Sequence, residues 1–213
     1  MRTSTLLTAV LSVAGAATTF AQVYSVNTVG YVNSTLQPKF NLIANPLNNT
    51  AANGNTVGNL FGSSLPDGSA VYKFAAGKYE AANFFTDLFG WDNSAQTLAP
   101  GEGAFVFVAG SAAKTITFVG EVPQGHLVVN LSKGLNLVSS VVPQAGKLQT
   151  DLGYTPADGD LIYKHTRGGG YQSTVGFTDL FGWDPADPTI DVGEAFWVSR
   201  AAAGSWTRDF TVK

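Results

Sequence analysis

Phe85-Thr86-Asp87-Leu88-Phe89-Gly90-Trp91-Asp92 recurs unchanged, 92 positions further on, as Phe177-Thr178-Asp179-Leu180-Phe181-Gly182-Trp183-Asp184. Around this anchor other matches fall nearly in register. Val71-Tyr72-Lys73 faces Ile162-Tyr163-Lys164, Gly101-Glu102 faces Gly193-Glu194, and Ala104-Phe105-Val106 faces Phe196-Trp197-Val198. Upstream, Phe40-Asn41-Leu42-Ile43 faces Leu135-Asn136-Leu137-Val138, and Gly30 faces Gly125. An identity of this length with collinear flanking matches is a specific sign of internal duplication. The chain therefore divides into a repeat over 30–120, a linker over 121–124 and a second repeat over 125–213, preceded by an N-terminal strand over 22–29.

Each repeat is expected to be all-β. Leu42-Ile43-Ala44, Ala70-Val71-Tyr72-Lys73-Phe74, Lys78-Tyr79-Glu80-Ala81 and Ala104-Phe105-Val106-Phe107-Val108 are short β-prone runs bounded by Gly, Pro or Asn. Lys114-Thr115-Ile116-Thr117-Phe118-Val119 alternates polar and apolar, the pattern of a strand with one wet face. Pro66-Asp67-Gly68 and Ala157-Asp158-Gly159 supply turns. Only Asn55-Thr56-Val57-Gly58-Asn59-Leu60-Phe61 resembles a helical turn, with Asn55 or Thr56 as its cap. The predicted architecture is two tandem homologous small domains of about 90 residues, each a β-sandwich or a β-barrel.

Composition removes whole classes of function. Of 213 residues, 45% are hydrophobic and 13% charged, so the chain is neither a disordered tail nor a charged coiled coil. A net charge of -3 gives no electrostatic footprint for nucleic acid. The absence of cysteine removes disulfides, thiolate metal sites and cysteine nucleophiles. Two histidines, His126 and His165, have neither a nucleophile nor ligand spacing beside them and are expected at surface or strand positions.

Residues 1–21 have the layout of a secretory signal peptide. Arg2 supplies the positive end, Leu6 to Ala14 the apolar stretch, and Thr19-Phe20-Ala21 the small residues before a cleavage site at Gln22. The apolar stretch is shorter than the ~20 residues of a spanning helix, so no membrane span is expected in the mature chain. An outer-membrane barrel is disfavoured because the strands are short and lack sustained apolar-out alternation. An exported chain without cysteine is most simply a bacterial envelope, cell-surface or extracellular protein, with the periplasm also open to it.

Phe40-Asn41-Leu42-Ile43-Ala44-Asn45-Pro46-Leu47 and Pro100-Gly101-Glu102-Gly103-Ala104-Phe105-Val106 resemble the patterns "aromatic-Asn-Leu-Ile…Pro" and "Pro-Gly-Glu-Gly-Phe-Phe-Val". These mark a loosely defined group of secreted bacterial β-repeat proteins. Repeat two departs from them, with Ser139-Ser140-Val141 at the Ala-Asn-Pro step and Ala195 for the second Gly. The resemblance implies an extracytoplasmic location and brings no catalytic residues with it.

The repeated octapeptide is the leading functional candidate. In one reading Trp91 and Trp183, with Phe89 and Phe181, are exposed platforms for sugar rings, and Asp92 and Asp184 bond hydroxyls. In the other, which is the expectation, Thr86 or Asp87 caps a turn, Gly90 ends it, and the aromatics plug each β unit, because aromatic residues are usually core. Asp87, Asp92 and Glu102, mirrored by Asp179, Asp184 and Glu194, include the residue types of a glycosidase acid/base pair. However, two small domains without cleft-forming insertions do not assemble an active site. Glu102 and Glu194, just before an apolar strand, are better suited to bonding turn N–H groups. Asp184 to Asp191 is acidic but lacks the spacing and Gly of a calcium loop. Gly168-Gly169-Gly170 has the composition of a flexible hairpin tip. No catalytic residue, metal ligand or cofactor is assigned.

Two functions remain. The first is a secreted, non-enzymatic structural or adhesive protein of the cell exterior, acting by protein–protein contact with other exterior proteins or with copies of itself. The second is a carbohydrate-binding module that takes polysaccharide at the Trp91 and Trp183 regions. For self-assembly, the closing strand around Phe210 and Val212 has no following repeat to join. The stretch containing Val23, Tyr24 and Val26 is freed by signal cleavage. Addition of one to the other would propagate head to tail as a filament.

Overall fold

The computed structural model describes residues 28–212. The export segment and Val23, Tyr24 and Val26 lie outside these residues. The described residues are all-β, with one short helix among them. The chain runs through β1 (Val29–Leu36), β2 (Lys39–Ala44), α1 (Val57–Phe61), β3 (Ala70–Ala75), β4 (Lys78–Tyr79), β5 (Asn83–Thr86), β6 (Gly90–Trp91), β7 (Gly103–Val108) and β8 (Lys114–Glu121). It continues through β9 (Gly125–Leu131), β10 (Gly134–Ser139), β11 (Gly146–Lys147), β12 (Leu161–Tyr163), β13 (Val175–Thr178), β14 (Gly182–Asp184), β15 (Thr189–Ile190), β16 (Ala195–Arg200) and β17 (Gly204–Phe210).

Strands of residues 29–121 and of residues 125–210 follow the same order. The first sheet reads β2-β7-β3-β5-β6, with β4 appended to β3, and the second reads β10-β16-β12-β13-β14. Against each lies an antiparallel ribbon made of the first and last strands of that half, β1 with β8 and β9 with β17. Among the described residues no sheet closes on itself, so the arrangement is sandwich-like rather than a barrel. On β8 the alternation expected from sequence is realised, with Ile116, Phe118 and Gly120 facing inward. Because β17 pairs along its length with β9, Phe210 opposite Gly125, the closing strand is already partnered within its own half. The backbone N–H of Val212 donates to Gln124 Oε1. The two halves also do not meet by strand addition between β8 and β9. The junction of the halves is thus no example of strand addition, and Val23, Tyr24 and Val26, which a head-to-tail join would use, lie outside the described residues.

The halves meet face to face. One core lies between the β1–β8 ribbon and the first sheet, and includes Leu36, Ile43, Val71, Val106 and Phe118. Its counterpart between the β9–β17 ribbon and the second sheet includes Leu131, Val138, Ile162, Phe196 and Trp206. A third joins the two sheets through Leu42, Ala44 and Phe105 on one side and Leu137, Ala195 and Trp197 on the other. Strands β7 and β16 are thus covered on both faces, which is why Gly103–Val108 and Ala195–Arg200 are nearly continuous apolar runs. Each large side chain buried here contributes about 1.5–3 kcal/mol. Two equivalent backbone bonds complete the join: Ala44 N–H to the Gly193 carbonyl and Ser139 N–H to the Gly101 carbonyl, both 3.0 Å.

Elsewhere the duplicated motifs do matching structural work. The Asn41 amide bonds the Gln37 backbone and the Val106 carbonyl, and Asn136 does the same with Ser132 and Val198. The helix forms where expected, but Thr56 Oγ1 donates to the Asn53 carbonyl instead of accepting a helix N–H.

Candidate functional site

The octapeptide forms a hairpin with two fates for its apolar residues. In the first half, Phe85 of β5 pairs with Trp91 of β6, and both point into the core. Trp91 is only 8% exposed, its ring lies 5.8 Å from Phe61 of α1, and its Nε1–H donates to the Gly62 carbonyl at 2.9 Å. Between the strands, Asp87-Leu88-Phe89 forms the tip. Thr86 Oγ1 accepts the Phe89 N–H at 3.1 Å, and Asp67 Oδ1 accepts the Asp87 N–H at 2.9 Å. Gly90 closes the tip with φ 76°, a backbone conformation a side chain would strain. The tip holds Leu88 and Phe89 out in solvent, 79% and 85% exposed.

The second half repeats the device. Thr178 Oγ1 accepts the Phe181 N–H, Asp158 Oδ1 accepts the Asp179 N–H, and Gly182 closes the turn at φ 74°. Leu180 and Phe181 are 79% and 83% exposed. Trp183 differs from Trp91 in being half-buried. No helix forms among residues 125–212 to cover it, and its Nε1–H bonds Gln149 Oε1 at 2.8 Å.

The exposed-platform assignment therefore does not hold for Trp91, whereas Trp183 keeps part of its ring in solvent. Trp91 is core, and both indole N–H groups are engaged within the protein. The plug assignment holds for Phe85 and Trp91 but not for Phe89 and Phe181, whose rings leave the fold. Their position in the sequence favours the core by composition alone, whereas the three-residue tip turns them outward. Asp92, just after β6, and Asp184, at the end of β14, are exposed, and Asp92 Oδ2 accepts the Phe84 N–H at 3.4 Å.

Glu102 and Glu194 have structural partners. Glu102 Oε2 accepts the Ala99 N–H at 2.6 Å, and Glu194 Oε2 accepts the Asp191 N–H at 2.8 Å, as expected of Gly-Glu steps. Each also pairs with the matching lysine, Lys73 with Glu102 at 3.1 Å and Lys164 with Glu194 at 3.2 Å. Burial pushes Glu194 above the usual carboxylate range, opposed by the Asp191 N–H and by Lys164. In the acidic stretch, Asp187 accepts the Gln149 and Thr150 N–H groups. Among the described residues no group of three or more His, Asp or Glu side chains is placed to hold a metal ion. None of the described helices is long and apolar enough to cross a membrane.

A second feature has no local signature in the sequence. Where the two sheets meet, an aromatic groove opens as two adjoining cavities. One, of about 330 Å³, is lined by Phe74, Tyr79, Leu135, Tyr163, Tyr171 and Trp197. The other, of about 380 Å³, is lined by Phe40, Tyr72, Tyr79, Phe105, His165 and Tyr171. One wall is the β3–β4 hairpin, which seats Tyr79 against Phe74. The other is the loop closed by the His165–Tyr171 bridge. That loop, expected as a flexible tip, is docked instead. Gly168 N–H donates to the Phe40 carbonyl and Arg167 Nη1 to the Thr35 carbonyl, both at 2.8 Å. Trp197 Nε1–H donates to the Tyr171 hydroxyl at 3.1 Å. His126 is exposed and paired with Asp209, but His165 is buried edge-on against Phe105 and Tyr171, and burial lowers its pKa. Burial and the neighbouring Tyr171 raise that of Tyr79.

Comparison with known protein families, with curated proteins and with solved structures gives no match.

Proposed function

We propose that this is an exported, non-enzymatic adhesive or structural protein of the cell exterior, which acts by protein–protein contact through its two hairpin tips. The observation that carries the reading is the exposure of Leu88-Phe89 and Leu180-Phe181 at equivalent places. In the octapeptide, Phe85, Trp91, Thr86 and Gly90 each have a local structural reason to be what they are. Leu88 and Phe89 have none, and a solvent-facing tip would ordinarily be polar. The same pair nonetheless stands in both copies, while most of the surrounding residues differ. Aromatic and aliphatic side chains on a turn whose backbone is held by hydrogen bonds suit the anchors of an interface, because the backbone beneath them has little freedom left to lose on binding. Two such anchors on one chain support bivalent attachment.

Binding of the labelled exported chain to intact cells of the producing organism tests the reading. Retention that is lost when the cells are first treated with protease supports a protein partner. Retention that survives protease and disappears when surface glycans are removed contradicts it.

A further inference from the structure

We propose that the aromatic groove between the two sheets is a binding site for a neutral oligosaccharide, separate from the hairpin tips. Its lining selects the ligand class. No Asp, Glu, Lys or Arg lines either cavity, so nothing there recognises a phosphate, an acidic peptide or a basic one. His165, the one titratable nitrogen, is buried, with its pKa lowered by that burial, and so carries no charge at neutral pH.

The polar atoms that remain are phenols and one indole N–H, interleaved with aromatic faces. Tyr72, Tyr79, Tyr163 and Tyr171 supply hydroxyls, and the Trp197 N–H already orients that of Tyr171. An apolar ring surface with neutral donors and acceptors at its edge complements a sugar ring, which presents C–H faces and hydroxyl edges. A wholly greasy ligand would leave those hydroxyls without partners in a desolvated site.

The shape argues for a chain rather than a single ring. The two cavities adjoin and share Tyr79 and Tyr171, so a linear ligand would occupy both and pass the tyrosine pair at the middle. The walls are held in place before a ligand arrives. The loop carrying Tyr171 is bonded to the first half at Phe40 and Thr35, and Tyr79 sits on the β3–β4 ladder. Side chains fixed in this way lose little freedom on binding. The groove exists only where both halves contribute, with Tyr79 and Phe105 from one and Tyr171 and Trp197 from the other.

Calorimetric titration of the full exported chain with cellohexaose, maltohexaose and chitohexaose, alongside the matching disaccharides, tests the site. At least one hexasaccharide is expected to bind, more tightly than its disaccharide. Tyr79→Ala is expected to weaken binding about tenfold, in line with the loss of one stacking platform. Tyr171→Phe, which keeps the ring and removes one hydroxyl, is expected to weaken it less. Leu88→Ser is expected to leave it unchanged. Circular dichroism confirms that each variant is folded. The proposal is overturned if none of the three sugars binds at millimolar concentration. It is equally overturned if binding is indifferent to Tyr79→Ala in a folded protein, or if tetramethylammonium or an uncharged aromatic peptide displaces the sugar and binds more tightly.

Discussion

Gly103 and Ala195 occupy equivalent positions at the start of the central strands and press against each other across the junction of the halves. A Cβ on Gly103 would stand 2.8 Å from that of Ala195 and 2.9 Å from Leu137 Cγ. The junction therefore accepts one methyl where the duplicated sequence has room to place two. This is the physical reason the Pro-Gly-Glu-Gly pattern of the first half becomes Gly-Glu-Ala in the second.

Gly103→Ala is expected to destabilise the protein by about 1–3 kcal/mol, the usual cost of overpacking. Ala195→Gly in the same chain is expected to recover part of that loss. A double-mutant cycle from urea unfolding measures the coupling, and strictly additive effects would show that the two residues do not compete for space.

Trp91→Ala is expected to cost about 3–5 kcal/mol, as for a buried large aromatic. Trp183→Ala, at the matching position but half-buried, is expected to cost about 1–3 kcal/mol. Thermal and urea unfolding of the two variants checks the order. Equal losses would contradict the unequal cover that α1 gives to Trp91 alone.

The strands were legible in the sequence, but the way the sheets use them was not. The run from Ala104 to Val108 announces a strand, and the duplication announces its partner. On β3, Val71 faces the inner core while Tyr72 and Phe74 face the opposite side. Such a strand, apolar or aromatic on both faces, signals that each face is covered or used. That signal was present, but it does not say by what. The groove unites Phe40, Tyr79, Tyr171 and Trp197, which no local pattern links. Exposure of Phe89 was hidden for a different reason: the statistics of aromatic residues favour the core, and only the turn geometry set by Thr86 and Gly90 reverses them.

His165 makes stability depend on pH. Burial lowers its folded-state pKa below the ordinary value of 6.5. The unfolded chain therefore binds the proton more readily, and the contribution of the neutral ring is present above that value and lost as pH falls through the folded pKa. The stability difference between the native protein and His165→Phe is expected to shift against the native protein between pH 7 and pH 5. Urea unfolding of both proteins at the two pH values measures it. A difference that stays constant would mean that the ring titrates alike in both states.

The proposed role requires that the two hairpin tips make contacts and do not hold the fold. Replacement of Leu88, Phe89, Leu180 and Phe181 together by serine tests it most directly, with the unfolding midpoint and the dissociation rate from intact cells measured on the same preparation. The midpoint is expected to stay unchanged, with rapid dissociation of the fourfold variant and intermediate rates when only one tip is altered. Cell binding equal to that of the native chain, or a midpoint that falls as far as it does for Trp91→Ala, would contradict it.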